Sequence, residues 1–592
     1  MKHYLKSFIC VCLLLPGAQC NYAQERIVAN PMNLNYRFQM QDDNPARREA
    51  ADPVCEYFKG KYYLFASKSG GYWSSEDLAE WKYIPCKTIA TIEEYAPAIL
   101  VMGDELYFMA SGKPRIFKTS NPDRDEWEDI NAKFKFQLKG NVDPAFFKDD
   151  DGKVYVYWGC SDKDPIIGVE VDPKDGFNVI GEAKILIEHH SQEYGWEEKG
   201  AANDQGQDGY NEGPCIIKHK GKYYLQYAAP GTQWRIYGDG VYVADNPLGP
   251  YVYDATSPFS FKPGGFVGGA GHGHTFKDRY GNYWHVASMT ISVRHMFERR
   301  LGLFPVYLSG DGHIHAHTLW SDYPYEIPQQ KADFARNDFS KRWNLLSYRK
   351  NTDASSSLSE YGPEKAVDER IETWWSAQTG NAGEWLQADL EKEMDVRAVQ
   401  VNFADHDFVI RAPHPPFYYR YVIEASGDGK KWTVVADKSA NGKDAVHDLI
   451  VLEKPVKARY LRITSAGEVP GKFSLSGFRI FGNGNGNGKA PEKVSGIRVQ
   501  RNPDDPRRFF LSWNRQAAAD GYVIHARLKG GGPPLSVMVY DNEYESGFFN
   551  RDSEYEFSVE TFNENGRSKP VAAKARIPLR REAATVAGFS QK

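Results

Sequence analysis

The sequence predicts an all-β chain, a five-bladed β-propeller followed by two β-sandwich domains, and three observations carry that expectation. The first is a unit that returns five times: an acidic or small residue, a proline or glycine, an apolar strand, a charged turn and an aromatic-rich return strand. It runs from Ala51-Asp52-Pro53 to Ser67, from Ala96-Pro97 to Ser111, from Val142-Asp143-Pro144 to Gly159, from Glu212-Gly213-Pro214 to Ala228, and from Gly273-His274 to Ser288. Hairpin units repeating at such spacing signal radial β repetition. The second is an echo of outer strands: Ser75-Glu76-Asp77-Leu78 leads to Trp81, Ser120-Asn121-Pro122-Asp123 to Trp127, and Ala244-Asp245-Asn246-Pro247 to Tyr251 and Tyr253. The third is two blocks of short alternating strands in the C-terminal half, divided by Gly482-Asn483-Gly484-Asn485-Gly486-Asn487-Gly488.

Taken in chain order, residues 1–23 read as a secretory leader. Lys2 and Lys6 precede an apolar run from Phe8 to Leu15, far short of a membrane span, and Ala23 offers the small-residue exit. Export follows, to the periplasm or the medium, with Cys20 opening the alternative of a lipid-anchored surface form. Residues 30–325 hold the propeller repeat. Between Ile187 and Asn211 lies a long polar insertion ahead of the fourth blade, a length of loop that usually serves function. A polar, helix-compatible connector, Gln329 to Arg342, leads to the first sandwich at 344–482, with strands such as Trp385–Leu390, Val396–Val401 and Tyr460–Thr464. Residues 483–489 form a Gly/Asn linker unable to bury a core. The second sandwich occupies 490–580, with strands at Phe510–Trp513, Gly521–Ile524 and Tyr555–Val559.

Composition narrows the function classes. The 592 residues exceed a single core, the net charge is only −5, and no Lys/Arg cluster supplies the basic face that nucleic-acid binding requires. Aromatic residues make up 14% of the chain, which suits stacking on sugar rings as well as β cores. The cysteines beyond the leader, Cys55, Cys86, Cys160 and Cys215, read as buried thiols and not as a disulfide framework. The oligomeric state leaves no signature.

Three copies of the repeat open on a carboxylate, Asp52, Asp143 and Glu212, where the others carry Ala or His, so three acids meet at one axis. Hydrolysis of a glycosidic bond with inversion needs one carboxylic acid to protonate the leaving oxygen and one carboxylate to activate water, roughly 6.5–9.5 Å apart. A third acid beside the general acid disfavours its ionisation and keeps it protonated near neutrality. Asp-Pro and Glu-Gly-Pro also start strands for purely local reasons, but not three times in one register. Other signals are weaker. Gly264 to Gly271 lacks the βαβ context of a phosphate loop, and Asp149-Asp150-Asp151-Gly152 lacks calcium-loop spacing and reads as a hairpin turn. His272 and His274 share one strand face, with His272 the candidate axial residue and candidate ligand for an ion. Trp73, after a Gly-Gly pair, suits a sugar-stacking platform or a packed core.

Together Ala51-Asp52-Pro53, Val142-Asp143-Pro144, Glu212-Gly213-Pro214, Ser75-x-Asp77-Leu78-x-x-Trp81 and Gly269-Ala270-Gly271-His272 resemble glycoside hydrolase family 43 over residues 30–325. The resemblance implies an inverting hydrolase of arabinose- or xylose-containing glycans, an α-L-arabinofuranosidase or β-xylosidase of plant-type polysaccharides. It implies Asp52 as general base, Asp143 as the residue that tunes and orients the acid, and Glu212 as general acid. It further implies His272 at the axis near Ca2+ or another ion, with no organic cofactor, and Arg299 reaching the sugar hydroxyls, with Arg300 adjacent as the alternative. Tyr95 stands where the family often has Trp before Ala-Pro, which alters the sugar-facing wall. Pro363–Asp368, Thr373–Ser376, Glu384–Leu390 and Phe478–Gly482 resemble the discoidin-like factor 5/8 C-type domain, a carbohydrate-binding module or a structural appendage. The last module is similar to fibronectin type III, with Trp513 and Tyr555 as core aromatics, and reads as a spacer. Two alternatives remain: a β-galactosidase-type exo-activity on the same fold, and a non-catalytic glycan-binding protein.

Overall fold

A computed structural model describes residues 26–39, 46–89, 95–130, 142–336, 339–410, 417–484 and 488–573. The leader at 1–23, the centre of the Gly/Asn linker and the last residues of the second sandwich lie outside them. Five antiparallel sheets form the propeller, four of them four-stranded and that of the fourth blade six-stranded, their innermost strands being Val54–Phe58, Ala98–Met102, Ala145–Lys148, Asn211–His219 and Gly268–Lys277. The fourth blade gains the short strand Cys160–Ser161 beside its innermost strand. Ile27–Val28 pairs with Tyr325–Glu326 and joins the two ends of the propeller.

Each innermost strand is entered through one residue in the left-handed region: Asp52 (φ 51°), Ala96 (43°), Asp143 (51°), Gly213 (60°) and His272 (46°). For a non-glycine residue this backbone costs about 1–3 kcal/mol and persists only where its surroundings impose it. Here the preceding blade does so. The main-chain N–H of Asp52 donates to Ser288 Oγ (2.8 Å), that of Ala96 to Ser67 Oγ (2.7 Å), that of Asp143 to Ser111 Oγ (2.8 Å) and that of His272 to Asp239 Oδ1 (2.7 Å). A proline follows the kink in four of the five blades, where no N–H is needed.

These kinks correct the register of the repeat. The residue equivalent to Asp52 in the fourth blade is Gly213, and in the fifth it is His272. Glu212 sits one position earlier, equivalent to Ala51, Tyr95 and Val142. The carbonyls of those three accept from Ser67 N (2.8 Å), Ser111 N (3.0 Å) and Gly159 N (2.9 Å), as Glu212 pairs with Ala228.

The first sandwich is an eight-stranded system built on two long strands, Trp385–Phe403 and His447–Ser465, with Ser474–Gly482 closing back on Asn344–Leu345. The second has a three-stranded sheet (Arg498–Arg501, Phe509–Ser512, Glu543–Ser546) facing a five-stranded one centred on Gly521–Leu528 and Tyr555–Asn563. Among its described residues the connector is helical only in a single 3-10 turn, Phe334–Arg336, where Phe334 turns inward against Trp284 at 5.1 Å between ring centroids. Nor does the second sandwich hang free as a spacer. Its Phe509, Phe548 and Phe549 share one apolar cluster with Trp196, Tyr227 and Phe261 of the propeller. The described start of the Gly/Asn run is fixed as well, Asn483 N donating to Asp395 O at 3.2 Å and Asp395 N to Gly484 O at 2.9 Å.

The first sandwich is bolted to the propeller by buried ionic contacts. Arg48, fully buried, pairs with Asp405 (2.9 Å) and Asp444 (2.7 Å), and Arg300 Nε donates to His447 Nε2 at 3.0 Å. Four described cysteines are unpaired thiols, as the composition suggested. No helix among the described residues is long and apolar enough to cross a membrane.

Candidate active site

The kinks turn Asp52, Asp143 and His272 inward together. His272 Nδ1 stands 3.5 Å from Asp52 Oδ1 and 3.6 Å from Asp143 Oδ2, and ligand atoms of His272, Asp143 and Glu212 lie within 4.8 Å of one another. The His272 ring lies on Gly213, where an added Cβ would stand 2.5 Å from Cδ2. The seat that holds an aspartate in blades one and three is therefore filled in blade four by the histidine ring. The acid of that blade comes from the preceding residue, Glu212, with the longer side chain.

Each acid is held differently. Asp52 Oδ2 accepts from Ser67 Oγ (2.6 Å) and Oδ1 from Arg299 Nη1 (3.1 Å). Asp143 Oδ1 accepts from Ser111 Oγ at 3.3 Å. Glu212 Oε2 accepts from the Cys160 thiol at 3.1 Å, and Oε1 accepts a short hydrogen bond from Tyr237 OH. Burial is the largest influence on Asp52 and pushes it up, yet Arg299, His272, Ser67 and Ser288 together hold its carboxyl below the usual aspartate range. In Asp143 burial prevails, and the charges of Glu212 and Asp52 add to it against His272, so its carboxyl is raised to about 7. The carboxyl held up is thus Asp143, the orienting residue of the resemblance. Burial lowers the imidazole of His272, but Asp52, Asp143, Glu212 and Asp239 outweigh it and favour the imidazolium.

The raised Asp143 has a consequence for stability. Below pH ~4 the folded and unfolded chains both carry its proton; between ~4 and ~7 only the folded chain does, so stability falls across that window and then levels off. Asp143→Asn removes the penalty. Its thermal midpoint is expected to rise by a few degrees over the native protein at pH 8 and not at pH 4, and equal midpoints at pH 8 would refute the shift.

Among the other expected residues, Arg299 is at the site but not free: it is buried, bonds Asp52, and donates through Nη2 to Glu49 Oε1 at 3.2 Å. Its guanidinium is thus committed to two carboxylates. Arg300 faces the first sandwich instead. Tyr95 is half-buried beside Phe297 (5.9 Å, edge on) under the Lys68 ammonium, and Phe297 lies 4.9 Å beneath the Arg299 guanidinium, which makes Tyr95 and Phe297 a wall near Asp52. Trp73 is corrected. It is 0% exposed in the core with Tyr36, Leu64 and Trp284, so no face is open to a sugar. The Gly-Gly pair before it marks packing: a Cβ at Gly71 would stand 2.2 Å from the Ile84 carbonyl.

As an ion site, Asp143, Glu212 and His272 offer two carboxylates and one nitrogen. Calcium takes six to eight oxygens, and both Glu212 oxygens already accept from Tyr237 and Cys160. The set does not fit calcium and reads as hydrogen-bonded acids around an imidazolium. His274 is no partner in it: burial pushes it down to about 3, and its Nδ1 accepts from Cys55 N at 3.5 Å.

Tyr237, Glu49, Ser67, Ser111 and Asp239 were not singled out from the sequence. Asp239 takes the N–H groups of His272 and Gly273 and is in turn held by His285 Nε2 at 2.8 Å. The serines were legible in principle, since Ser67, Ser111 and Ser288 each close a repeat unit.

Residues 43–314 match Glycosyl hydrolases family 43, and residues 351–476 match the F5/8 type C domain. The chain is 24% identical over 261 residues to the Beta-D-galactofuranosidase xynD of Aspergillus niger, a match covering 38% of this chain and 68% of that protein. Over 95 residues it is 33% identical to Lactadherin of Mus musculus, covering 15% of this chain and 19% of the relative, so it spans about a fifth of that relative's length. Among solved structures it is similar to a glycoside hydrolase at TM-score 0.42 and 20% identity, covering 73% of this chain and 97% of the other. A thermostable family-43 glycoside hydrolase aligns at TM-score 0.41 and 19% identity, covering 51% and 98%. The five-bladed propeller at 43–314, with three acids at its axis, is a glycosyl hydrolase family 43 domain, and the chain continues from it into an F5/8 type C domain.

Proposed function

We propose that this is an exported, inverting glycoside hydrolase that releases α-L-arabinofuranosyl or β-D-xylosyl units from plant-type polysaccharides or oligosaccharides. The observation that carries the reading is the unequal treatment of acids around one imidazole: Asp52 held ionised by Arg299 and His272, Asp143 raised to about 7 by burial and its acidic neighbours, and Glu212 oriented by Tyr237 and Cys160. A water attacks the anomeric carbon from the face of Asp52, which takes its proton. Glu212 gives a proton to the glycosidic oxygen, whose bond to that carbon breaks, and the sugar leaves with its anomeric configuration inverted. Asp143 stands beside the His272 imidazole, its Oδ2 3.6 Å from Nδ1, and beside Glu212, where it tunes and orients the acid. The chemistry needs no organic cofactor.

Tyr95 and Phe297 provide an apolar wall for a sugar face. The fungal relative is named for releasing galactofuranose, a five-membered ring like arabinofuranose, which favours a furanoside. In the same reading the F5/8 type C domain contacts glycan, and the last sandwich is fibronectin type III-like. The decisive measurement screens 4-nitrophenyl α-L-arabinofuranoside, β-D-xyloside, β-D-galactofuranoside and β-D-galactopyranoside, then follows the first-formed anomer of the cleaved one by proton NMR. The inverted anomer is expected. A retained anomer would remove the single displacement, and no cleavage of any of them would favour a glycan-binding protein.

A further inference from the structure

The insertion at 187–211 has almost no regular structure of its own, a 3-10 turn at Gly195–Glu197 apart, so its shape is set by what grips it. On its outer side the second sandwich does the gripping. Arg507, 7% exposed, places Nε and Nη2 on the two oxygens of Asp505 at 2.8 Å each, donates from Nη1 to the Ser191 carbonyl at 2.6 Å, and pairs with Glu198. Gly195 N donates to Phe549 O (3.1 Å) and Arg551 N to Glu193 O (2.8 Å), while Arg508 Nη2 donates to Asn203 O (2.6 Å). The approach is close: a Cβ on Gly195 would stand 1.9 Å from the Gly547 carbonyl.

On its inner side the same insertion holds the wall of the acid. Lys199 Nζ donates to Asp162 Oδ2 at 2.8 Å, and His189 Nε2 meets the Ser161 carbonyl at 2.8 Å. Ser161 pairs with Asn211 and Cys160 with Glu212, whose Oε2 accepts from the Cys160 thiol. Ser191 Oγ donates to Asp208 Oδ1 at 2.5 Å and Gly209 N to Glu197 O at 2.8 Å, which fixes the chain just before Glu212.

We propose that Arg507 is a positioning residue for Glu212: the second sandwich clamps the insertion through Arg507, and the insertion sets where the acid stands. The inference rests on Glu212 being the general acid. Misplacing a catalytic group by about 1 Å costs on the order of 100-fold, and for a general acid the cost falls on substrates whose leaving group needs its proton.

The test uses the full chain, with the 2,4-dinitrophenyl and the phenyl glycoside of whichever sugar the native protein releases. The dinitrophenolate leaves without protonation, whereas phenolate needs the acid. Arg507→Met is expected to lower kcat on the phenyl glycoside about 10-fold or more and to leave the dinitrophenyl glycoside within about 2-fold. Glu198→Gln, which retains the side-chain shape and loses the charge facing Arg507, is expected to move the same ratio in the same direction and serves should Arg507→Met not fold. An equal change on both glycosides, or none, overturns the proposal, because lost folding or a mere surface contact cannot sort leaving groups. Glu212→Gln run alongside separates the two assignments. If it too fails to sort the leaving groups, the acid itself is misassigned; if it sorts them and neither Arg507→Met nor Glu198→Gln does, Arg507 alone is.

Discussion

Glu212→Gln is expected to lose about 10²–10⁴-fold in kcat on natural glycosides and phenyl glycosides while retaining most activity toward dinitrophenyl glycosides. The amide keeps the volume and planarity of the carboxyl. One oxygen still accepts from Tyr237 or from the Cys160 thiol, so the strand Asn211–His219 keeps its place and the protein should unfold at nearly the native temperature. What the amide lacks is a proton it can give to a departing oxygen. The loss therefore tracks the basicity of the leaving group, and a plot of log kcat against leaving-group pKa should become steep where the native plot is shallow. Full activity on both kinds of substrate would remove Glu212 from the mechanism.

Asp52→Asn is expected to fall by a similar factor, about 10²–10⁴, but on good and poor leaving groups alike, because both need water to be activated. Its surroundings survive the change. Arg299 keeps Glu49 at 3.2 Å, and the Asp52 main-chain N–H keeps Ser288, neither of which depends on the carboxylate charge. The imidazolium of His272 loses the strongest of the charges that raise it, so its titration should move down in the variant, which NMR of the ring can follow. A variant that stays active on either substrate, or that discriminates between leaving groups as Glu212→Gln does, would exchange the roles assigned to the two acids. The contrast between the two substitutions is thus more informative than either loss alone.

The blades were legible because proline and glycine punctuate them: Pro53, Pro97, Pro144 and Pro214 follow the kinks that start the inner strands. The three acids were legible for the same reason. Their equivalence was not, since Glu212 stands one residue before the kink, and the cause is the His272 ring from another blade lying on Gly213, far along the chain from any local pattern that could announce it. Trp73 misled because a Gly-Gly pair reads equally as an open platform and as close packing against Ile84. Tyr237 and Cys160 were invisible as partners of Glu212, a contact made by folding alone. The docking of the sandwiches was hidden likewise: Arg48 meets Asp405 more than three hundred residues away, and Arg507 meets Ser191 across a similar stretch. Periodicity registers neighbours in sequence, and these ionic clasps have none.

Because Asp52, Ala96, Asp143 and His272 are each fastened through the main-chain N–H to the blade before them around the wheel, changes in chain length at the rim stop at the rim. The fourth blade shows this: a long stretch added before it leaves Asp143 at φ 51° and His272 at 46°, on either side of the addition, in the same posture as Asp52 and Ala96. Such a wheel can lengthen its spokes' connecting loops, and so reshape what reaches the centre, without disturbing the reacting groups at its axle.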